Sequence, residues 1–377
     1  MKVLLVNISL DAARGGGTAE RTRHLATHLA KAGNPCEVVA MTGNSWQDEF
    51  DEQNVRSYIT INLGKRFPIP LVNPWRAWRA IRSADVLHIM GYWNLLSVFY
   101  GMLAVLAGKP YVLCPAGEFA SLPSTRPVNR VFHALLGRQL IKRAAGFIAI
   151  TELERGVIAK TANVSPQSIP VIPNAVAEPA LGRVGVDVDL PEEPYILFMG
   201  RLAPVKGPDF LVKAYLDTKV AHSVPLVVAG PDFGMQEELQ AMVDNSSVSK
   251  NIRFVGFLDE KNRVAAYRRA MMLVIPSRSE AMSLVALEAG VLGVPVLLTN
   301  TCGFDQIEGI GGGMVVSPSA KGIAEGLEKM LADRQELKLK GERLKSYVLE
   351  HYSWSSTVRL LIGHFEALVQ TGSLTNK

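Results

Sequence analysis

Apolar and polar positions alternate along the 377-residue chain between two kinds of run. Short apolar stretches bounded by Gly, Pro, Asn or Asp read as buried strands, and longer stretches between them carry helical spacing. The first strand, Lys2 to Ser9, feeds a glycine-rich turn at Gly15 to Gly17, then a helical pattern, TAERTRHLATHLAKAG, closed by Gly33. Further strands are expected at Glu37 to Met41, Val86 to Met90, Tyr111 to Cys114 and Gly146 to Thr151. Periodic patterning stops between Pro173 and Pro194, where Pro, Gly and acidic residues take over, and an interdomain linker is placed there. The pattern then starts again. Tyr195 to Met199 is a strand, Gly200 to Gly207 a loop and Pro208 the start of a helix, with more strands at Leu226 to Ala229, Ile252 to Val255, Met271 to Ile275 and Pro295 to Thr299.

Alternation of this kind specifies parallel sheets with crossover helices. The chain reads as α/β, with two Rossmann-like doubly wound domains facing across a cleft. Residues 1–176 form the N-terminal domain and residues 190–353 the C-terminal one, and a last helix over 354–371 packs back on the first. In such an arrangement the cleft is the default ligand site.

Composition agrees with two packed cores: 48% of residues are hydrophobic and 20% charged. The formal charge of +5 suits an anionic substrate, an anionic membrane face or nucleic acid, and its sign alone does not choose. Cys36, Cys114 and Cys302 are odd in number and lack a CxxC spacing, which speaks against a disulfide framework or a zinc knuckle and fits a reducing cytoplasm. The N-terminus lacks the pattern of a signal peptide. The greasiest stretch, Asn94 to Gly108, falls short of the roughly 18 apolar residues a membrane span needs and reads as a buried helix.

Two segments carry chemistry. In GRLAPVKG, Gly200 to Gly207, a strand ends in glycine and two cations, Arg201 and Lys206, ride on a loop that leads into a helix, a natural diphosphate site. In SRSEAMSLVALEAGVLGVPV, Glu280 falls in the loop after a strand, and Glu288, eight positions on, falls within the helix that begins near Ser283. Carboxylates accept hydrogen bonds from sugar and ribose hydroxyls.

The order GRLxPxKG, a Gly256–Phe257 pair after a strand, and two glutamates eight apart followed by EAGVLGVPV resembles the donor-binding half of glycosyltransferase family 4, whose fold is GT-B. The first half resembles it more weakly, through Gly15 to Gly17, ADVLHIMG around His88 and AAGFIAITELE. The resemblance implies a retaining, metal-independent glycosyltransferase without a cofactor. Its substrates would be a nucleoside-diphosphate-sugar donor and a glycan or lipid-linked acceptor, as in cell-surface polysaccharide biosynthesis. It implies that Arg201 and Lys206 neutralise the diphosphate, that Glu280 contacts the donor sugar and that Glu288 holds the ribose. It further implies that Gly256 and Phe257 meet the base, that Met282, Ser283, Leu284 and Val285 offer amides to phosphate and sugar, and that Gly16 and Gly17 allow close approach of the first-domain loop.

One departure stands out. Where family members carry a His before a Gly this chain reads PAGE, so Ala116 replaces an imidazole, and His88 and Glu118 are the candidates to supply the missing polar group. A catalytically silent, nucleotide- or sugar-binding subunit, or another GT-B enzyme such as an epimerase, is the alternative.

His24 and His28 lack the glutamate of a metalloprotease helix, and no metal site is expected. The GGG loop misses the spacing of a dinucleotide fingerprint. Two basic stretches, Gly64 to Arg82 with Trp75 and Trp78, and Arg126 to Arg143, suit either peripheral contact with an anionic membrane, at the inner face of the plasma membrane, or a solvated helix with buried aromatics. No nucleic-acid module is present.

Overall fold

The computed structural model describes residues 1–64, 68–124, 127–177, 188–304 and 306–374. The chain divides into two compact units, Met1–Asn174 with Trp354–Lys377, and Ala175–Ser353. The centre of the expected linker, 178–187, lies outside the described residues, as do 65–67 of one basic stretch and Arg126 of the other.

The strands of the first unit are β1 (Val3–Val6), β2 (Cys36–Ala40), β3 (Arg56–Ile59), β4 (Ile61–Asn62), β5 (Pro70–Leu71), β6 (Val86–Met90), β7 (Tyr111–Cys114) and β8 (Gly146–Phe147). Six of them form a parallel sheet in the order β3-β2-β1-β6-β7-β8, while β4 and β5 pair as an antiparallel hairpin. Every residue of β1, β6 and β7 is buried, because helices cover both faces of a parallel sheet, and this produces the apolar runs VLLV and YVLC and the run VLHIM, broken only by His88. Strand β3, RSYI, is an edge strand left partly exposed, so it lacks such a run and escapes a reading based on hydrophobicity.

The second unit repeats the plan with β9 (Tyr195–Met199), β10 (Leu226–Ala229), β11 (Ile252–Gly256), β12 (Ala270–Ile275), β13 (Val296–Thr299) and β14 (Gly313–Val316). Their order is β11-β10-β9-β12-β13-β14, again parallel. Strand β14 is missed by sequence because it opens on Gly313 directly after Gly311 and Gly312, the composition of a turn. In each sheet the strand order reverses beside its first strand, between β1 and β6 and between β9 and β12. At such a reversal the connecting loops leave in opposite directions and open a crevice at the carboxyl ends of the strands.

Two expectations shift. Gly16 and Gly17, expected in a loop, begin the helix Gly16–Lys31, and the last helix runs over Trp354–Leu374. That last helix packs on the first one, where Trp354 stacks on His24 at 4.6 Å and lies 5.8 Å from His28, so both histidines serve helix packing. Among the described residues no helix is long and apolar enough to cross a membrane.

One ionised side chain ties the first unit together. Arg21, 1% exposed, donates to the carbonyls of Ile172 and Pro173, each at 2.8 Å, and to Asn174 Oδ1 at 2.9 Å. Burial holds its pKa below the ordinary value, with Cys114 and Glu154 acting in the other direction. The cost of burying a guanidinium is met by bonds to carbonyls at the chain segment where the unit ends. Replacing Arg21 by Met keeps the volume and orphans those acceptors. We expect the Arg21→Met variant to lose about 3 kcal/mol of first-unit stability, read by urea unfolding; an unchanged midpoint would contradict this role.

Candidate active site

Strands β9 and β12 are hydrogen-bonded neighbours that point the same way, so the loops that follow them emerge side by side. After β9 comes Gly200 to Gly207, and after β12 comes Pro276 to Ser283. The two loops touch closely. Gly207 has φ +65°, and a Cβ there would stand 2.1 Å from the Pro276 carbonyl oxygen, so only glycine fits on both counts. The amide of Arg278 donates to the Val205 carbonyl at 2.8 Å. Its guanidinium forks onto both oxygens of Asp209, at 2.8 and 2.6 Å, reaches the Pro204 carbonyl at 2.6 Å and lies 3.7 Å over the Phe210 ring.

This stitching brings the distant motif residues together. Lys206 Nζ lies 3.0 Å from Glu280 Oε1, and the Ser277 hydroxyl donates to the same oxygen. The Glu280 side chain is 7% exposed. Its backbone N–H donates to the Thr301 carbonyl at 2.9 Å, while the hydroxyls of Thr299 and Thr301 both donate to the Ser277 carbonyl at 2.6 Å. Arg201 joins the group electrostatically. Partial burial lowers its pKa and the field of Glu280 raises it, and its guanidinium lies 5.2 Å from the Phe233 ring centroid.

Directly after this loop begins the helix Leu284–Val291, with Ser283 at its N-cap. The first amides of an α-helix have no acceptor within it, so Leu284 and Val285 present N–H groups at the positive end of the helix dipole, while the Ser283 N–H is held by the Cys302 carbonyl at 3.2 Å. The Ser283 hydroxyl is buried and has no hydrogen-bond partner, and Met282 is 6% exposed. Glu288, one turn into the helix, accepts the Tyr267 hydroxyl at 2.8 Å and stands 3.7 Å from Arg263. Gly256 closes β11 with φ +69°, and Phe257 beside it is half exposed. Among the described residues no group of three His, Cys, Asp or Glu side chains could hold a metal ion.

The first unit requires a correction. His88, a candidate for the missing polar group, sits within β6, 1% exposed, with its ring 5.9 Å from that of Phe365 and its Nε2 without a hydrogen-bond partner. It is a core residue, because β6 continues two residues beyond it. Glu118 is likewise committed to structure. Its carboxylate accepts the backbone N–H of Tyr92 and, at 2.9 Å, that of Trp93, joining the loop after β6 to the loop after β7. Burial raises its pKa and those two amides lower it. Ala116 adopts φ +52°, a left-handed conformation that costs a residue with a Cβ about 1–2 kcal/mol. The following Gly117 N–H is held by Glu154, which also accepts from Ile150.

Sequence reasoning missed Arg278, Ser277, Thr301, Tyr267 and Arg263. Arg278 and Ser277 stand inside the recognised SRSE run, but Thr301 follows a different strand and Tyr267 comes from a different helix, so no linear spacing links them to Glu280 or Glu288.

Two Rossmann-type units, the second with a cation and carboxylate cluster where its strand order reverses, place the chain among the doubly wound α/β proteins. Comparison with known families narrows that class. The model "Glycosyl transferase 4-like domain" matches residues 16–175, and "Glycosyl transferases group 1" matches residues 188–347. The chain belongs to the group 1 glycosyltransferases.

A curated relative, the D-inositol 3-phosphate glycosyltransferase of Segniliparus rotundus, is 27% identical over 252 residues, which cover 63% of this chain and 55% of the relative. The enzyme of the same name from Frankia alni is 28% identical over 293 residues, covering 68% and 71%. The chain thus spans little more than half the length of the first of these. Among solved structures, Anabaena HepE in complex with UDP-glucose superposes with a TM-score of 0.77 at 17% identity over 97% of this chain and 100% of that one. Sucrose-phosphate synthase from Thermosynechococcus elongatus gives 0.75 at 17% over 98% and 100%. At these identities the likeness establishes the GT-B fold.

The burial of His88 has a measurable consequence. Desolvation, helped by Arg21 and His364, pushes its pKa down to about 3, whereas in the unfolded chain an imidazole titrates near 6.5. Between those values the unfolded state takes up a proton that the folded state refuses, so this group removes stability as pH falls, by up to about 1.4 kcal/mol per pH unit. The His88→Phe variant should therefore lose less stability than the parent between pH 6.5 and the acid limit, as followed by thermal unfolding. Superimposable pH profiles would refute the assignment.

Proposed function

We propose that this chain transfers a hexose from a nucleoside-diphosphate-sugar donor to a hydroxyl of a glycan or lipid-linked acceptor, with retention of configuration, in the cytoplasm and in the service of cell-surface polysaccharide assembly. The observation that carries the reading is the cluster of Arg201, Lys206 and Glu280 beside the start of the helix Leu284–Val291. HepE binds UDP and UDP-glucose, and the curated relatives are glycosyltransferases of D-inositol 3-phosphate, which supports a nucleoside diphosphate sugar as the donor class.

In this reading the diphosphate is both handle and leaving group. As the bond from the anomeric carbon to the diphosphate oxygen breaks, negative charge grows on that oxygen, and Arg201, Lys206 and the amides of Leu284 and Val285 meet it. An ammonium has three N–H donors, so Lys206 keeps two for phosphate while the third remains on Glu280. The acceptor hydroxyl attacks on the face the diphosphate leaves, and its proton passes to the departing phosphate oxygen. The two cations do the work that a divalent metal does elsewhere. Glu280 takes the hydroxyls of the donor sugar, and Glu288, oriented by Tyr267 and Arg263, those of the ribose. Gly256 and Phe257 border the base.

Ala116 favours one alternative, a silent member that binds donor without turning it over. Nucleotide-dependent thermal stabilisation without transfer or hydrolysis on any donor would assign that role.

For the leading reading, Lys206→Ala should lower kcat by roughly two to three orders of magnitude, about 3–4 kcal/mol of transition-state stabilisation, with the melting temperature nearly unchanged. Glu280→Gln should do likewise through the sugar. Chelation with EDTA should leave the rate intact. Full activity of both variants, or abolition by EDTA, would overturn the site as drawn.

A further inference from the structure

Three neighbouring strands of the second sheet, β9, β10 and β11, run out into glycine, at Gly200, Gly230 and Gly256. The Gly200 N–H donates to the Ala229 carbonyl at 2.9 Å and the Gly230 N–H to the Gly256 carbonyl at 2.7 Å, so the sheet stays bonded to its rim. Gly230 has φ +146°, and a Cβ there would stand 1.8 Å from the Gly200 carbonyl oxygen. The chain leaving β10 therefore runs against the chain leaving β9. This contact continues past the strands. Leu202 and Asp232 form a parallel bridge, the Leu202 N–H donates to the Pro231 carbonyl at 2.9 Å, and the Phe233 N–H donates to the Leu202 carbonyl at 3.1 Å. Asp232 then accepts the N–H groups of Gly234, Met235 and Gln236 at 2.8, 2.9 and 3.0 Å, which fixes the turn on the far side of Phe233.

Backbone held on both sides in this way carries Phe233 to Arg201. The guanidinium carbon lies 5.2 Å from the ring centroid, inside the range over which an aromatic face attracts a cation. The ring is 40% exposed, so the core does not claim it. Among the described residues the Arg201 guanidinium makes no hydrogen bond and no ion pair; the Phe233 ring and the field of Glu280 are what act on it. Glu280 itself is taken by Lys206 and the Ser277 hydroxyl. Arg278 supplies the contrast. It also lies over a phenylalanine, Phe210, but its N–H groups are occupied by Asp209 and the Pro204 carbonyl.

A guanidinium carries five N–H donors, and on a long side chain with none of them engaged it samples many rotamers. A carboxylate partner would hold it still and would occupy its donors. An aromatic face attracts the cation without accepting the N–H groups along its edge, so a braced fork stays open to a phosphate group that can be met by two parallel bonds.

We infer that Phe233 is a positioning residue of the donor site: its ring holds the Arg201 guanidinium ready for the diphosphate of a nucleoside-diphosphate donor while leaving the N–H fork free. This rests on the proposed transferase reading for the identity of the ligand and on the paired loops after β9 and β10 for the brace itself.

The test is a double-mutant cycle on the full chain between Phe233→Leu and Arg201→Gln, read by calorimetric affinity for UDP and GDP and by kcat and KM with UDP-glucose. Leucine keeps an apolar side chain at a part-exposed position, and melting curves verify that the variant folds. Phe233→Leu should weaken nucleotide binding about fivefold and lower kcat about tenfold with a smaller change in KM, because charge on the leaving diphosphate grows in the transition state. Phe233→Tyr keeps the ring face and should stay within about twofold of the parent. In the Arg201→Gln background Phe233→Leu should have no further effect, since a brace without its cation has nothing to hold. A Phe233→Leu variant equal to the parent, a tyrosine variant as poor as the leucine one, or a loss that persists undiminished without Arg201 overturns the inference; the last would set the ring against the nucleotide itself. Nucleotide binding that follows the cycle, with no transfer or hydrolysis of any donor by the parent, would refute the proposed function and leave the brace standing. Transfer by the parent with an indifferent Phe233→Leu variant would do the reverse, and a parent that binds neither nucleotide would sink both.

Discussion

The close passage of the Gly207 backbone against the Pro276 carbonyl is the constraint on which the candidate site depends. Two loops that leave neighbouring strands at a reversal of strand order can reach each other only if no side chain intervenes. Glycine in a left-handed conformation meets that condition. Once they touch, Arg278 clamps them by its fork onto Asp209, and Lys206 falls within ion-pair distance of a glutamate 74 positions away in sequence. The chemistry of the site is thus a product of backbone approach more than of any single charged residue.

The two units spend their ionisable groups differently. In the first, Arg21, Glu118 and Glu154 are turned onto backbone amides and carbonyls, where they fix loops and the end of the unit, and His88 is sealed as a neutral ring. In the second, Lys206 and Glu280 pair with each other and Glu288 with Arg263, hydroxyls of Ser277 and Tyr267 hold the two carboxylates in place, and Lys206 and Glu288 keep part of their surface open. Groups committed to the backbone cannot exchange partners without unfolding something, whereas ion pairs at a loop edge can share donors with an arriving diphosphate. The contrast explains why a search for titratable residues by type alone finds false candidates in the first unit.

Charge is unevenly distributed as well. The surplus of cations lies in the first unit on helices that also expose leucine, valine and tryptophan, while in the second unit Lys206 of the candidate site sits beside a carboxylate. A single net charge conceals both arrangements.

The amino-acid sequence by itself determined the doubly wound plan, the placement of most central strands, and the residues Arg201, Lys206, Glu280 and Glu288 with the loops or helices that carry them. It could do so because strands buried on both faces leave continuous apolar runs and because glycine marks the loops between. It missed β3 and β14, an exposed edge and a strand opening on glycine, whose composition is that of surface and turn. It also offered His88 as a candidate polar group, which the structure buries in the core. Only the tertiary structure decided that Thr301, Tyr267 and Arg263 support the glutamates, that Glu118 is spent on amides, and that a π turn presents Leu135 and Leu136 outward. Those outcomes depend on which strands lie side by side and which atoms meet across them, and local periodicity along a chain carries no record of either.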